Sequence, residues 1–460
     1  MRTTLRSFLV VALAVATALM LQPNPTSANP LTGVSSVAAG GSSHTCAVTT
    51  ADEVKCWGLN KDGQLGDGTT TTRRTPADVT GLGTDSTVAP GGFHTCALSA
   101  AGAVKCWGNN FVGQVGDGTN TGRITPVDVS ELGSEIAAIA AGFNHTCVLT
   151  SAGGVKCWGQ NIFGQLGDGT LTDRNAPVDV VGLTSGVAVL ATGGGHTCVL
   201  TATGLVKCWG VNTDGALGAA TTEQCGFFNI PCSTTPLDVE DLTDVTALAA
   251  GVGHTCALTA EGSVTCWGRN TYGQLGDGTT EDSVTPVDVS GLMDEIRSIS
   301  TGSFHTCAFT LSGGLKCWGF NFYGQLGDST TIDRTTPVSV FGLSSGIAAV
   351  AAGNIHTCAL TTEGGLKCWG YNRHGQLGDG TNTDRSAPVD VMSKPPSGDV
   401  NCDENVDSID SALILQFSAG LVGSLACQDE GDVNESGDID SIDAAIVLQF
   451  AAGLISALPV

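Results

Sequence analysis

From Ile136 to Val180 the chain alternates short hydrophobic runs with polar, glycine-rich breaks. Ile136 to Ala141 is small and apolar; His145 to Thr150 and Val155 to Trp158 put apolar residues at alternate positions; Pro177 to Val180 is a fourth run. A two-residue period over so few residues predicts strands rather than helices. Ser151-Ala152-Gly153-Gly154, between the second and third runs, is a hairpin signal. The proline opening the fourth run suits a sheet edge, where a missing backbone donor costs little. Four antiparallel strands in sequence are the expected unit.

That unit recurs. His-Thr-Cys is followed, ten residues after its cysteine, by Cys-Trp-Gly, in copies starting at His44, His94, His145, His196, His254, His305 and His356. The spacing is 50 or 51 residues, apart from one step of 58 between His196 and His254. Seven equal copies without capping repeats predict a mainly β fold: a seven-bladed β-propeller of four-stranded blades, with an open solenoid as the weaker alternative. Every tryptophan, seven of the eight histidines and fourteen of the eighteen cysteines sit in the copies. Residues so evenly spread serve the repeat, not one unique active site.

The cysteines fall into local pairs, one to a copy: Cys46 with Cys56, Cys96 with Cys106, Cys147 with Cys157, Cys198 with Cys208, Cys256 with Cys266, Cys307 with Cys317, and Cys358 with Cys368. Cys225 with Cys232 and Cys402 with Cys427 stand outside the regular pattern. Centring the first hairpin near Ala51 sets Cys46 opposite Cys56, and opposed Cβ atoms about 4.5–5.5 Å apart can be bridged with modest adjustment. Each bridge would close a short loop, contributing roughly 3 kcal/mol to its own blade on the chain-entropy model. Zinc fits poorly, because a spacing of ten lacks an accompanying second ligand pair.

The pattern G-x-x-H-T-C-A-L-T-x-x-G-x-V-K-C-W-G-x-N-x-x-G-Q-L-G-D-G resembles the regulator-of-chromosome-condensation repeat family and covers residues 31–391. The resemblance implies a seven-bladed propeller serving as an interaction platform without catalysis in the fold, secreted bacterial members being the nearer analogues. The first copy begins at its first strand (Val34 to Ala39) and the last ends at its fourth (Pro388 to Val391). Ring closure is therefore expected from blade-to-blade packing rather than from interleaved strands.

In most copies a Gly-Gln-Leu-Gly-Asp-Gly-Thr run, replaced in copy four by Gly215-Ala216-Leu217-Gly218-Ala219-Ala220, reads as consecutive tight turns with glycines at positive φ. One carboxylate per copy is too few hard oxygens for a calcium loop. The histidines are expected to order turns through backbone hydrogen bonds, and the tryptophans to pack between blades. Copy four departs, with an insertion carrying Cys225, Phe227, Phe228 and Cys232. Two adjacent phenylalanines at a loop tip are either a contact site for a partner or packed back onto the propeller.

Arg2 and Arg6, an apolar run from Phe8 to Leu21 and the small-residue exit Thr26-Ser27-Ala28 read as an export signal over residues 1–28. No other stretch is apolar enough to span a bilayer. Paired cysteines agree with an oxidising compartment, so a secreted protein, free or attached to a surface or scaffold, is expected. Net charge is −25, with no basic stripe to neutralise phosphates, which argues against nucleic acid as a partner.

From Ser397 to Val460 there are twelve acidic residues and neither lysine nor arginine. A linker over 392–397 precedes a separate module over 398–460, in which two segments 33 residues apart match one another. Oxygen side chains at loop positions 1, 3, 5, 9 and 12, with the position-7 carbonyl, are what Ca²⁺ requires. Loop one supplies Asp399, Asn401, Asp403, Asp407 and Asp410, with Asn405 through its backbone; loop two supplies Asp432, Asn434, Ser436, Asp440 and Asp443, with Asp438 through its backbone. Two calcium sites, each followed by an apolar helix, are expected. The tail resembles a type I dockerin, which implies calcium-dependent docking to a cohesin-like domain; Glu404 at position 6 and Ser436 at position 5 depart from that pattern.

The leading expectation is a secreted, non-catalytic protein: the propeller binds a protein or glycan, and the tail anchors it. The alternatives are a dockerin-borne enzyme acting on polysaccharide and a secreted protein inhibitor. A glycosidase needs two carboxylates about 5–9.5 Å apart, and no pair stands out from acids that recur in nearly every copy.

Overall fold

A computed structural model describes residues 29–83, 86–133, 135–292, 295–393, 400, 408–425, 431, 433, 438–455 and 458. The chain divides into a propeller unit, Asn29 to Lys394, and a second compact unit holding the C-terminal residues. Among the described residues no helix is long and apolar enough to cross a membrane.

The propeller consists of seven antiparallel sheets, each built from one copy of the repeat. Blade three is representative, with strands Ile136–Ala141, His145–Thr150, Val155–Gly159 and Arg174–Asp179 paired in chain order. The outer strand begins three residues before the run expected from Pro177. Gly159 pairs with Arg174 across a register shift that follows the Cys157–Val178 pair. The bulge accommodates Pro177 inside an edge strand without forfeiting a ladder bond. Blade four is five-stranded rather than four-stranded: its insertion adds Glu223–Cys225 outside Ile230–Val239.

The cysteines of every copy face one another in register across the central hairpin, as Cys46 does Cys56 and Cys147 does Cys157. Each is bridged within its own blade at a Cα separation of 4.0 or 4.1 Å. Cys46 joins Cys56, Cys96 joins Cys106, Cys147 joins Cys157 and Cys198 joins Cys208. Cys256 joins Cys266, Cys307 joins Cys317 and Cys358 joins Cys368. In the insertion Cys225 bridges Cys232 at 5.8 Å. All seven repeat pairings and the insertion pairing are thus as expected. The Cα atoms of the repeat pairs stand closer than bridged cysteines usually do, because a non-hydrogen-bonded pair draws opposed residues together. No free cysteine occurs among the described residues. Cys402 and Cys427 lie outside them.

Blades are joined by one polar device repeated at every interface. The main-chain carbonyl of Gln114 in blade two accepts from Trp158 Nε1 at 3.0 Å and from Thr146 Oγ1 at 2.9 Å, both in blade three. That hydroxyl in turn meets His94 Nε2 of blade two at 2.8 Å. Because the one hydroxyl proton goes to the carbonyl, the imidazole must donate from Nε2, which fixes the tautomer. His44, His145, His196, His254 and His305 make the same bond to Thr95, Thr197, Thr255, Thr306 and Thr357 of the following blade, and His356 closes the ring onto Thr45 at 2.8 Å. The histidines thus order the blade interfaces through threonine hydroxyls, not local turns through backbone groups. Sequence inspection could not see a partner some fifty residues away.

The glycines of the motif make room for this contact. A Cβ on Gly167 would fall 2.6 Å from Trp209 Nε1, and one on Gly142 would fall 2.5 Å from His145 Nδ1. Trp209 packs into the apolar layer between blades three and four with Leu149, Leu166 and Val199. The expectation that the tryptophans pack between blades holds. Ring closure uses the same set, with Trp57 Nε1 donating to the Gln376 carbonyl at 3.0 Å. It adds a bridge between Pro30 and Met392 and a Leu31 N to Val391 O bond of 2.7 Å. Packing closes the ring as expected, with a short N-terminal clasp laid outside the last blade.

The second unit contains helices α1, Ser408–Ser418, and α2, Ser441–Ala451. Positions 33 residues apart share the same environment: Val400 and Val433, Asp410 and Asp443, and Ile414 and Val447 are all buried. Ser411 Oγ donates to the Ala444 carbonyl at 2.9 Å, tying the equivalent helix starts together.

All seven repeat histidines are completely buried. Desolvation first, aided in most by a neighbouring histidine's charge, holds His44, His94, His145, His254 and His305 down at about 3 and His196 and His356 at about 4. The unfolded chain takes up these protons below about pH 6.5 and the folded ring refuses them, so stability is complete above that value and falls as pH drops toward 4. With seven groups at about 1.4 kcal/mol per unit each, the steepest loss is on the order of 10 kcal/mol per pH unit. Calorimetry from about pH 7.5 to about pH 4.5 should show a sharply falling Tm, and a flat profile would disprove the neutral ring. Thr146→Val strands the His94 donor in an apolar layer and should cost about 1–3 kcal/mol in urea unfolding.

Candidate functional site

The Gly-Asp-Gly turns are structural. In blade three Asn161 Oδ1 accepts from Leu166 N at 3.0 Å, while Asn161 Nδ2 donates to Asp168 at 3.0 Å. Asp168 also accepts from Thr170 N at 2.9 Å and pairs with Arg174 at 2.8 Å. Burial works against the ionised form of Asp168, yet the bonds from Thr170 and Arg174 outweigh it and hold its carboxyl below the usual carboxylate range. Asp67, Asp117 and Asp328 repeat this balance. Their oxygens are committed to the turn and are not poised to coordinate an ion. Among the described residues, Glu223, Cys225 and Cys232 come close enough to resemble a metal cluster. The disulfide between the two cysteines excludes that use.

Because neighbouring strands run antiparallel, the first-to-second and third-to-fourth loops of every blade emerge at the same end of the propeller. Most aromatic residues outside the blade cores collect there, Phe341 in a fourth-to-first connection at the other end being an exception. Phe93, Phe143 and Phe304 occupy first-to-second loops. Phe111, Phe163, Tyr272, Phe320, Phe322, Tyr323 and Tyr371 follow third strands, and Phe227 and Phe228 tip the blade-four insertion. All three tyrosines of the chain are in this set.

The insertion projects. Phe227 is 94% and Phe228 82% exposed, with their rings edge to face at 5.4 Å. Gly226 approaches Phe163 of blade three, so the base of the hairpin leans on a neighbour while its tip stands clear. Of the two readings open at the sequence level, packing back onto the propeller is excluded for these two rings.

Across blades five to seven the rings form a continuous strip. Tyr272 lies 5.7 Å from Phe304 and 4.7 Å from Phe320; Tyr323 lies 6.3 Å from Phe320, 4.9 Å from Phe322 and 4.9 Å from Tyr371. Sequence reasoning missed this strip. Its signal was the position after each Trp-Gly, which reads Leu59, Asn109, Gln160, Val211, Arg269, Phe320 and Tyr371 amid fixed neighbours. Of these rings Phe143 alone reaches the described lining of the central channel. The channel is lined by small residues such as Gly91, Gly142 and Gly193, with a volume of about 100 Å³.

Of the twelve expected calcium ligands, Asp399, Asn401, Asp403, Asn405, Asp407, Asp432, Asn434 and Ser436 lie outside the described residues. Asp410 and Asp443 are fully buried at equivalent helix starts. Asp410 accepts from Val400 N at 2.9 Å, and Asp443 from Asp440 N at 2.8 Å within the capping box of α2. Asp440 accepts from Ile442 N at 2.6 Å. Asp438 lies just before this cap.

Comparison with known proteins bears on the propeller. The model of the RCC1-like domain matches residues 169–444, and those of the regulator of chromosome condensation (RCC1) repeat match 34–64, 86–114 and 136–165, and 53–98 and 101–149. The ultraviolet-B receptor UVR8 of Arabidopsis thaliana is 34% identical over 362 residues, covering 77% of this chain and 69% of UVR8. The human E3 ubiquitin-protein ligase HERC2 is 32% identical over 241 residues, 52% of this chain but 5% of its own length. Prp20p of Saccharomyces cerevisiae superposes with a TM-score of 0.66 at 24% identity, covering 74% of this chain and 86% of that one. Human WBSCR16 does so at 0.66 and 23%, covering 75% and 95%. These two likenesses speak for the fold alone. Taken with the seven blades and their shared interface, the matches establish that the chain belongs to the RCC1 repeat family.

Proposed function

We propose that this is an exported, non-catalytic interaction protein whose propeller recognises a protein or glycan partner through its aromatic loop face. The observation that carries this reading is the exposure of Phe227 and Phe228 on a disulfide-pinned hairpin, the one insertion that breaks the sevenfold repeat. Exposed aromatic pairs on a braced loop lose little conformational freedom on binding and bury much area, which is how interface hot spots are made. The family context supports a recognition role: UVR8 is a receptor, and Prp20p is described by its binding to Gsp1p and histones. Paired cysteines and the apolar N-terminal run support export.

The tail, in this reading, is a calcium-dependent anchor for a cohesin-like domain. Asp399, Asn401, Asp403, Asn405, Asp407 and Asp410 would hold one ion, and Asp432, Asn434, Ser436, Asp438, Asp440 and Asp443 the other. Burial of the equivalent carboxylates Asp410 and Asp443 supports it, because each is drawn out of water at the end of an oxygen-rich loop. Calcium would supply charge neutralisation and couple loop order to the packing of α1 on α2.

Two outcomes are expected. Capture of a partner from the producing organism's secretome, or of a glycan from an array, should fall at least about tenfold in a double variant, Phe227→Ala with Phe228→Ala, at unchanged Tm. Equal capture by the variant would remove the hairpin from the interface. Chelation with EDTA should reduce the helical circular dichroism of the full chain and Ca²⁺ should restore it. A spectrum indifferent to both would reject the calcium sites.

A further inference from the structure

Resting on that reading of the loop face, we propose that the junction of blades seven and one, with the aromatic strip leading into it, binds an acidic polysaccharide. The first ground is the distribution of ion pairs. Along the blade edges lysines are held by aspartates, as in Lys105–Asp128 at 2.9 Å and Lys156–Asp179 at 2.6 Å. At the turns arginines are held by aspartates, as in Arg334–Asp328 at 2.7 Å and Arg385–Asp379 at 2.8 Å. Among the described residues Lys61, Arg74 and Arg373 enter no ion pair and are exposed. Arg297 and Lys316 are likewise without one, but they sit near the opposite ends of their strands. In a chain of net charge −25, three cations without an acidic partner where blades seven and one meet are a local exception.

Those three surround His374, the histidine that the interface ring does not use. Burial, then the charge of nearby Lys61, keeps His374 below its ordinary value, so the imidazole adds no positive charge of its own at neutral pH. Arg373 is its chain neighbour. The backbone of Arg74 presses on Gly375, where a Cβ would come within 2.6 Å of Arg74 Cα. Lys61 also lies over the Phe93 ring at 4.9 Å.

The second ground is the strip that starts here. Tyr371 lies 6.1 Å from the His374 ring and continues through Tyr323 and Phe320 to Tyr272. A row of tilted rings suits a chain of sugar units, each offering an apolar C–H face to stack and hydroxyls to the phenols. A protein hot spot would instead need a knob seated in a desolvated pocket. Uronate carboxylates supply the charge complementary to Lys61, Arg74 and Arg373, with the guanidinium groups able to bind them bidentately. Net negative charge repels such a chain at long range, so affinity must come from the short-range contacts to these exposed cations, and salt weakens it by screening them.

The test is affinity electrophoresis of the full chain through gels containing polygalacturonate, with chelator present so that no divalent ion bridges protein and polymer. Retardation by polygalacturonate and none by neutral hydroxyethylcellulose is expected. A double variant, Lys61→Glu with Arg373→Glu, should weaken it at least about tenfold, and added salt should weaken it by screening. The milder pair Lys61→Gln with Arg373→Gln, and separately Tyr371→Ala, should weaken it by roughly the same order. Near-ultraviolet circular dichroism confirms that each variant is folded. Free migration of the parent protein, undiminished retardation of both charge variants, or tighter retention by single-stranded DNA would each overturn the assignment. Loss of polygalacturonate binding in a protein that still captures its partner through the hairpin rejects only the glycan assignment, whereas failure of both rejects the broader reading of the face.

Discussion

One backbone carbonyl per blade holds the ring together. It accepts from an indole and a hydroxyl of the next blade, and that hydroxyl is itself fixed by a histidine reaching forward from the carbonyl's own blade. None of these groups touches water, so each would be costly to bury alone and is tolerable only when the others are in place. That mutual requirement makes a blade incomplete without both neighbours. It explains why Trp, His and Thr recur at fixed offsets, and why glycine must flank them where the rings approach the main chain. Blade four shows which atom matters. Ala216 replaces the glutamine there, yet its main-chain oxygen still accepts from Trp267 and Thr255, each at 3.0 Å. The side chain was dispensable because the bond belongs to the backbone.

The sequence was legible wherever the interacting partners are near in the chain. Alternation located the inner three strands of blade three, and a hairpin turn centred near Ala51 set Cys46 against Cys56. The same ten-residue spacing carried that pairing to the other six blades, from Cys96 with Cys106 through Cys358 with Cys368. Sequence reading failed where the partner lies in another copy. Nothing local distinguishes a histidine that caps its own turn from one that reaches a threonine fifty residues on. The outer strand was misplaced for a different reason. A bulge absorbs residues between the Gly159–Arg174 and Cys157–Val178 pairs, so the extra length reads as turn until the pairing is seen. The aromatic strip escaped notice because each ring looks like an isolated surface residue until seven loops are placed at one end.

A repeat that assigns nearly every buried residue to its own interface leaves recognition to whatever varies. Here the variation is not scattered. Positions that must hold the ring are the same in all copies, while the residues following Trp-Gly differ and open on one face. Disulfides inside blades reinforce this division: each stiffens its own hairpin and leaves adjustment between blades to the hydrogen-bonded carbonyls. Phe227 and Phe228 exploit the same stiffness. Their hairpin is closed by Cys225 and Cys232 and rests on Phe163, so its tip can stay exposed without the loop collapsing onto the nearest apolar surface.

The C-terminal unit solves the problem of stability on a smaller scale. Two segments of the same pattern, 33 residues apart, bury equivalent valines, aspartates and aliphatic side chains around one another. A unit this small has little apolar area to set against chain entropy, and such domains usually need a disulfide or a metal in addition. A carboxylate withdrawn from water raises the cost of folding unless hydrogen-bond donors or positive charge meet it. In the propeller, Asp168 meets this requirement internally with Arg174. In the tail backbone donors take that part: Val400 N donates to Asp410 and Asp440 N to Asp443 at the equivalent helix starts, so burial of the two carboxylates depends on the loop before each helix being in place.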